Sequence, residues 1–258
     1  MKVLVTVAEV ATVGDDFEID GTAIDERYLE YDLNEWDDYA IEEAVQLSEE
    51  GLADEVVAVT IGPERSEETI RMALAKGADR AIRVWDDSID GLLDVAAKTG
   101  ILRAVVEEEE PDLILSGVQT GDAMFGATGV SLAAAIDYPW AAVVNDLELE
   151  DGTAHVHREL EGGVEELTDV ETPAVLTIQT GINEPRYASL RGIRQAQSKE
   201  IAVKGLAELG IEAVASDLTV TGMYEPEVES DATIFEGDAG DTAVQLASVL
   251  REKGVGAQ

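Results

Sequence analysis

The residues with the clearest chemical potential lie between Pro111 and Asp137, in PDLILSGVQTGDAMFGATGVSLAAAID. Leu113-Ile114-Leu115, bracketed by Pro111-Asp112 and Ser116-Gly117, reads as a short buried strand. Gly117, Gly121, Gly126 and Gly129 mark the loop after it, and the alanine-rich run Val130 to Ile136 continues a helix. Together these are the parts of an anion cradle. Backbone N–H groups at a helix N-terminus face a phosphate, and glycines let the chain approach it closely. The spacing is neither GxGxxG nor a Walker sequence, and an ordinary βα connection of a parallel sheet gives the same pattern.

Other chemistries find less support. The chain has no cysteine, which excludes disulfides, thiolate catalysis, iron–sulfur clusters and cysteine zinc sites. His155 and His157, two apart, share one face of an expected strand, but no Asp or Glu alternates on that face in the immediate turn, so an exposed face is expected rather than a metal pair. Residues 181–199, GINEPRYASLRGIRQAQSK, hold Arg186, Arg191 and Arg194 and offer Tyr187 and Leu190 as protruding side chains. One apolar anchor among arginines has the look of a docking loop. A plain lead into a helix over Leu190–Gln197 fits the same residues.

The elements that must position these residues alternate. Lys2 to Val10 is a valine-rich first strand, followed by a polar excursion over Ala11 to Leu33. Asn34 is placed to cap a helix whose stripe is Ala40, Ile41, Ala44 and Val45. Glu55 to Ile61 is a second strand, broken by Gly62-Pro63; Ser66 is placed to cap a helix that stops at Lys76-Gly77. Ala81 to Val84 is a third strand and Ile89 to Val106 a helix, with Glu107–Glu110 as its solvated end. This βα alternation calls for a parallel sheet with helices on both faces, whose ligands sit at the carboxyl ends of the strands. Thr6, Ile61-Gly62 and Gly117–Thr128 then converge on one crevice suited to an adenine mononucleotide or to a nucleotide held unconventionally.

After Tyr138 the pattern changes. Ala141–Leu149, Thr153–Leu160, Val164–Asp169 and Ala174–Gln179 read as four strands with turns at Asp151-Gly152 and Gly162-Gly163, an antiparallel extension of the sheet. The expected organisation is an α/β open parallel-sheet domain, Rossmann-like in the manner of adenine nucleotide alpha hydrolases, over residues 1–204. A C-terminal arm over 205–258 follows, with helical Thr242–Lys253.

Composition sets the surroundings. Fifty-six acidic against 17 basic residues give a net charge of −39, spread along a chain that is 45% hydrophobic and able to bury a core. Only six of the basic residues are lysines. An even acidic coat suits concentrated salt, where screening removes most self-repulsion, and it argues against nucleic acid and anionic membranes as partners. The N-terminal apolar run is too short for a signal peptide and no stretch of 18 apolar residues occurs, so a soluble, cytoplasmic protein without membrane insertion is expected.

Asn183-Glu184-Pro185-Arg186-Tyr187-Ala188-Ser189-Leu190 closely resembles the recognition loop of the β subunit of electron transfer flavoproteins. Asn34 with Ala40-Ile41-Glu42-Glu43-Ala44-Val45, Glu68-Thr69-Ile70-Arg71, Gly77-Ala78-Asp79-Arg80, Arg158-Glu159-x-Glu161-Gly162-Gly163 and Thr172-Pro173-Ala174-Val175 are similar to other segments of that family, over roughly residues 1 to 205. The resemblance implies a non-enzymatic electron carrier subunit with no catalytic residue and no metal. It implies pairing with an α subunit that carries most of the redox-active FAD, with AMP, or in bifurcating members a second FAD, in the β crevice. Electrons would come from acyl-CoA dehydrogenases in fatty acid oxidation and leave to a membrane quinone reductase, the ETF–quinone oxidoreductase.

By matching positions, Thr6, Asn34, Glu35, Trp36, Asp37, Ile61, Gly117, Gln119, Gly121, Asp122, Gly126, Ala127 and Thr128 would hold the nucleotide. Leu190 would be the docking anchor with Arg186 and Tyr187 beside it, Glu159 would orient the mobile flavin domain, and the tail would wrap onto the α subunit. The chain departs from the family at Arg191-Gly192, where Pro-Asn is common, at the thinned lysine run that leaves Lys199 alone, and near Val13, where the family's flavin-reaching aromatic has no match. A stand-alone adenine-nucleotide sensor of the universal stress type is the alternative class, but such proteins are shorter and need neither the loop nor the tail.

Overall fold

The computed structural model describes residues 1–14, 16–89, 91–226 and 232–255. They form two compact units, Met1–Gly222 and Met223–Gln258. Among the described residues the first unit holds thirteen strands and five α-helices: β1 (Lys2–Thr6), β2 (Glu9–Val13), β3 (Ile19–Asp20), β4 (Ala23–Ile24), β5 (Leu29–Leu33), α1 (Glu35–Glu49), β6 (Glu55–Ile61), α2 (Ser66–Lys76), β7 (Arg80–Val84), α3 (Val95–Glu109), β8 (Leu113–Gly117), α4 (Thr128–Ile136), β9 (Trp140–Glu150), β10 (Thr153–Leu160), β11 (Val164–Glu171), β12 (Ala174–Ile178), α5 (Leu190–Ala196) and β13 (Ile201–Lys204). The second unit holds α6 (Ala239–Glu252), capped by the Asp238 carboxylate, which accepts from Gly240 N and Asp241 N. The division expected after residue 204 falls inside the first unit, and residues 227–231 and 256–258 of the expected arm lie outside the described residues.

The main sheet has nine strands in the order β11-β10-β9-β12-β8-β1-β6-β7-β13. From β9 to β13 neighbouring strands run parallel, and β9-β10-β11 form the antiparallel extension. Successive residues of a strand face opposite layers. Val3 and Val5 of β1 pack with Ile41, Ala44, Ile70 and Leu74 of α1 and α2. Leu4 between them packs with Ile101 and Val105 of α3 and Leu132 of α4. The fold is therefore a mixed α/β, Rossmann-like sheet with helices on both faces.

The chain leaves β1 toward β6 and β7 on one side, then returns to build β8 on the other. The strand order reverses between β1 and β8. In open α/β sheets the crevice outside the strand ends at such a switch is where ligands bind.

Several local expectations change. Ala174–Ile178 is not part of the antiparallel extension: β12 inserts between β8 and β9 and runs parallel to both. All five of its residues are buried, the mark of a strand covered on both faces. The first strand ends at Thr6, and Glu9–Val13 turns away to pair antiparallel with Leu29–Leu33. The helix expected from Ile89 starts at Val95, because Gly91 has φ 74° and the Asp94 carboxylate accepts from Ala97 N at 2.7 Å, a side-chain N-cap. Asp90 of that expected helix lies outside the described residues.

Ser66 does not cap α2 but is its first residue. Its hydroxyl donates instead to Glu9 Oε1 at 3.0 Å, in space left by Gly62, where a Cβ would lie 2.3 Å from the Ser66 hydroxyl oxygen. The acidic run Glu107–Glu110 is not simply solvated either: Glu109, 11% exposed, accepts from Arg80 Nη1 at 3.0 Å and from Lys2 Nζ at 3.2 Å, tying α3 to β7 and β1. The hairpin at Asp151-Gly152 forms as read, with φ of 49° and 82° at its two turn residues.

Candidate functional site

Beyond the carboxyl ends of β1, β6 and β8 the first unit opens into a crevice. Its wall includes Thr6, Val7, Ala8 and Glu9 after β1, Val59 and Ile61 of β6, Lys98 and Leu102 of α3, and Ser116 to Thr120 with Phe125 to Thr128 around the loop before α4. It lies at the reversal point of the strand order. Of the nucleotide residues expected from sequence, Thr6, Asp37, Ile61, Gly117, Gln119, Gly126, Ala127 and Thr128 line it. Asn34 and Trp36 stand behind the wall, and Glu35, Gly121 and Asp122 are exposed outside it.

The loop is shaped by side chains from the start of α1. Asn34 makes no side-chain cap to its own helix. Its amide reaches across instead: Nδ2 donates to Gln119 O at 2.9 Å and Oδ1 accepts from Gly121 N at 3.2 Å. Asp37 joins the two central strands at their ends, one carboxylate oxygen accepting from Ala8 N at 2.8 Å and the other from Gly117 N at 2.9 Å. Burial pushes the Asp37 carboxyl up to about 6, against the hydrogen bonds from Ala8, Asn34 and Gly117 that favour its ionised form. Trp36 donates from Nε1 to Gln179 Oε1 at 3.0 Å, fixing α1 against the end of β12.

Two glycines permit this packing. A Cβ on Gly117 would lie 2.5 Å from Asp37 Oδ1 and 2.7 Å from Trp36 Cβ; one on Gly129 would lie 2.7 Å from Thr177 Cγ2. Gly129 thus lets the first turn of α4 sit directly on β12. Ala127 at the N-cap offers no side-chain bond to the N–H groups of that turn, and α4 begins at the crevice wall, which Ala127 and Thr128 line.

Sequence reasoning misses Glu9, Lys98 and Leu102. Glu9 falls where the first strand is expected to continue. Lys98 and Leu102 lie on a helix whose contribution is visible only once the sheet order brings α3 beside α4. The available signal for Lys98 is its rarity, one of six lysines in the chain.

The loop at Asn183–Leu190 has a fixed base and a protruding tip. Arg186 does not point outward. Its guanidinium donates to Glu42 Oε2 at 2.8 Å and Oε1 at 2.9 Å, and to Glu49 Oε1 at 2.6 Å and Oε2 at 2.9 Å. Burial works against the charged Glu42 carboxyl, but Arg186 and Gln46 outweigh it and hold the group below its ordinary range. Asn183 Nδ2 adds bonds to Tyr39 O and Glu43 Oε2. Tyr187, 98% exposed, and Leu190, 78% exposed, project from this base. Ser189 caps α5 by accepting from Gly192 N at 3.0 Å, and a Cβ on Gly192 would sit 2.3 Å from Ala75 O. The departure Arg191-Gly192 therefore has a packing reason: glycine lets α5 lie against α2.

Glu159 is exposed on a separate cleft with Val143, Asn145, His157, Leu160, Gln179, Thr180 and Gly181. Val143 there has φ 62°, a costly conformation for a β-branched residue, and its N–H donates to Thr177 Oγ1 at 2.9 Å. His155 pairs with Asp169 across the strands at 2.7 Å, an acid that the spacing along one strand could not reveal. Among the described residues no group of three or more His, Asp or Glu could hold a metal, and no helix is long and apolar enough to cross a membrane.

A mostly parallel sheet with a glycine-loop crevice at its switch point defines an α/β protein of the Rossmann-like class. Comparison with known proteins narrows this class. The family model for the electron transfer flavoprotein domain matches residues 21–209. The chain is 45% identical over 262 aligned positions to the electron transfer flavoprotein subunit beta of Methylophilus methylotrophus, covering 98% of each. It is 40% identical to the subunit of that name from Bradyrhizobium diazoefficiens, covering 88% of this chain and 90% of the other. The subunit beta of Sus scrofa is 36% identical, with 88% of this chain and 86% of the other covered. The chain belongs to the electron transfer flavoprotein family, as a β subunit, which implies an α-subunit partner and flavin-linked electron transfer.

Proposed function

We propose that this β subunit binds AMP in the crevice at the β1–β8 switch point and pairs with an FAD-bearing α subunit. The complex carries electrons from acyl-CoA dehydrogenases to a membrane ETF–quinone oxidoreductase. The observation that carries the reading is the loop from Gly117 to Thr128. Asn34 and Asp37 hold it in place, and α4 starts in the cavity wall at Thr128. No side chain of this subunit is assigned a bond-making step; its chemistry is positional. It fixes a nucleotide, holds the α subunit through the second unit and α6, and presents Leu190 to the dehydrogenase. Glu159, on its own cleft, orients the flavin domain. The acidic coat supports a salt-rich cytoplasm as its setting.

Extraction of the αβ complex, co-expressed in high salt, tests the cofactor assignment. One FAD and one AMP per complex are expected. Two FAD and no AMP would replace it with a bifurcating carrier holding a second FAD in the crevice. A β subunit that stays nucleotide-bound without an α partner would favour the sensor class.

The two halves of the docking loop should separate by mutation. Leu190→Ala should slow reduction by a dehydrogenase roughly tenfold or more, the loss of an anchor of about 1–3 kcal/mol, while melting and flavin content stay as in the parent. Arg186→Ala should instead lower stability by about 3 kcal/mol, since it leaves the Glu42 carboxylate, 5% exposed, without its cation. An unchanged reduction rate in Leu190→Ala would remove the docking role from this loop.

A further inference from the structure

We infer that Lys98 is the residue by which the crevice selects a phosphate-bearing nucleotide over the bare nucleoside, pairing its ammonium with the phosphate. This rests on the nucleotide reading above. Three charged side chains line the crevice: Glu9, Asp37 and Lys98. Glu9 is 8% exposed, pairs with Arg65 Nε at 3.0 Å and accepts from Ser66 Oγ at 3.0 Å, so it is held against α2. Asp37 is turned onto Ala8 N and Gly117 N. Neither is available to a ligand, and both add negative potential to a cavity in a chain of net charge −39. A phosphate entering there meets repulsion from the walls and from the whole protein.

Lys98 is the counterweight. It stands in the first turns of α3, half-buried at the rim of the crevice, and its field already acts on Asp37. Four of the five other lysines are claimed by acids or carbonyls: Lys2 by Glu109, Lys76 by Asp38, Lys204 by Glu108, and Lys199 by Leu74 O and Ala78 O, while Lys253 is exposed at the end of α6, outside the crevice. Among the described residues Lys98 finds no side-chain hydrogen bond or ion pair, although acids outnumber bases 56 to 17. An unpaired cation in such a chain, in the wall that Thr128 at the start of α4 also lines, is placed for an anion that the protein does not itself supply. The N–H groups orient the phosphate and Lys98 supplies the net charge that makes its entry favourable. An ammonium on a flexible stem suits this task, because a terminal phosphate offers oxygens in several directions.

The test uses the full αβ complex, stripped of bound nucleotide, in one constant molar-salt buffer, with AMP and adenosine as probes in equilibrium dialysis. The parent should hold AMP at least about tenfold more tightly than adenosine. Lys98→Gln should erase that preference by weakening AMP alone, and Lys98→Arg should restore most of it. A preference for AMP that survives Lys98→Gln unchanged overturns the role of Lys98 and leaves the nucleotide reading standing. Failure of both AMP and adenosine to bind the parent overturns the nucleotide reading and this inference with it. Lys98 has no partner to lose among the described residues, so the glutamine variant should fold as the parent does, which its flavin content confirms.

Discussion

Gly117→Val is expected to yield an αβ complex that retains no crevice nucleotide through gel filtration and melts well below the parent. Even a single Cβ at this position would lie 2.5 Å from Asp37 Oδ1, 2.7 Å from Trp36 Cβ and 2.9 Å from Asp37 N. Two of those three atoms belong to the backbone or the root of a side chain at the start of α1, so they move only if the helix moves. That displacement also breaks the bond from Gly117 N to Asp37, and with it the buried partner of an N–H group. Overpacking and one lost buried bond together cost about 2–4 kcal/mol.

Gly121, in the same loop, is a contrast: a Cβ added there would meet nothing within 4 Å, and its φ is not positive. Gly121→Ala should therefore retain nucleotide at parent levels. Equal behaviour of the two variants would show that the loop is not positioned by its packing on α1.

Much of this arrangement is legible in the sequence, and the reasons are local. The apolar runs of β1, β6, β7 and β8 and the glycines after β8 carry their own signals, since burial on both faces demands unbroken hydrophobicity. Gly77 and the pair Asp151-Gly152 punctuate the chain where backbone geometry requires it, whereas Gly91 does so inside the helix expected from Ile89. Sequence position misleads where a side chain acts at a distance. Asn34 and Ser66 both stand where helix caps belong, yet each spends its polar group on another segment, Asn34 on the loop before α4 and Ser66 on Glu9. Arg186 reads as a docking cation because Glu42 and Glu49 are remote in sequence, and α1 brings both beneath it. The place of β12 is hidden because strand order is a non-local property that turn residues do not encode. The crevice itself follows from three strand ends, but its fourth wall, α3, needs the topology.

The folded αβ complex is expected to lose structure on dialysis into dilute buffer and to regain it in molar salt, as followed by far-ultraviolet circular dichroism and flavin retention. The net charge of −39 is not neutralised within the fold. Many basic side chains already sit in ion pairs, such as Arg80 with Glu55 and Glu109, Arg83 with Glu67, and Arg158 with Glu166, so few remain to offset the surplus acids. In low salt, at ~0.01 M, the screening length is about 30 Å and acids across the whole surface repel one another; at 1 M it is about 3 Å and only neighbours interact. Self-repulsion therefore falls steeply with salt, while the buried core, which depends on apolar contact, does not weaken. Ion pairs at the surface also weaken with salt, which would push stability the other way. The surplus of repulsive over attractive pairs decides the sign, and here acids exceed bases by 56 to 17. A midpoint of chemical denaturation that does not rise between dilute and molar potassium chloride would remove the assignment of the acidic coat to a salt-rich cytoplasm. The remaining explanation for the coat would then be a strongly basic partner, which the exposed Arg191 and Arg194 beside Leu190 would repel.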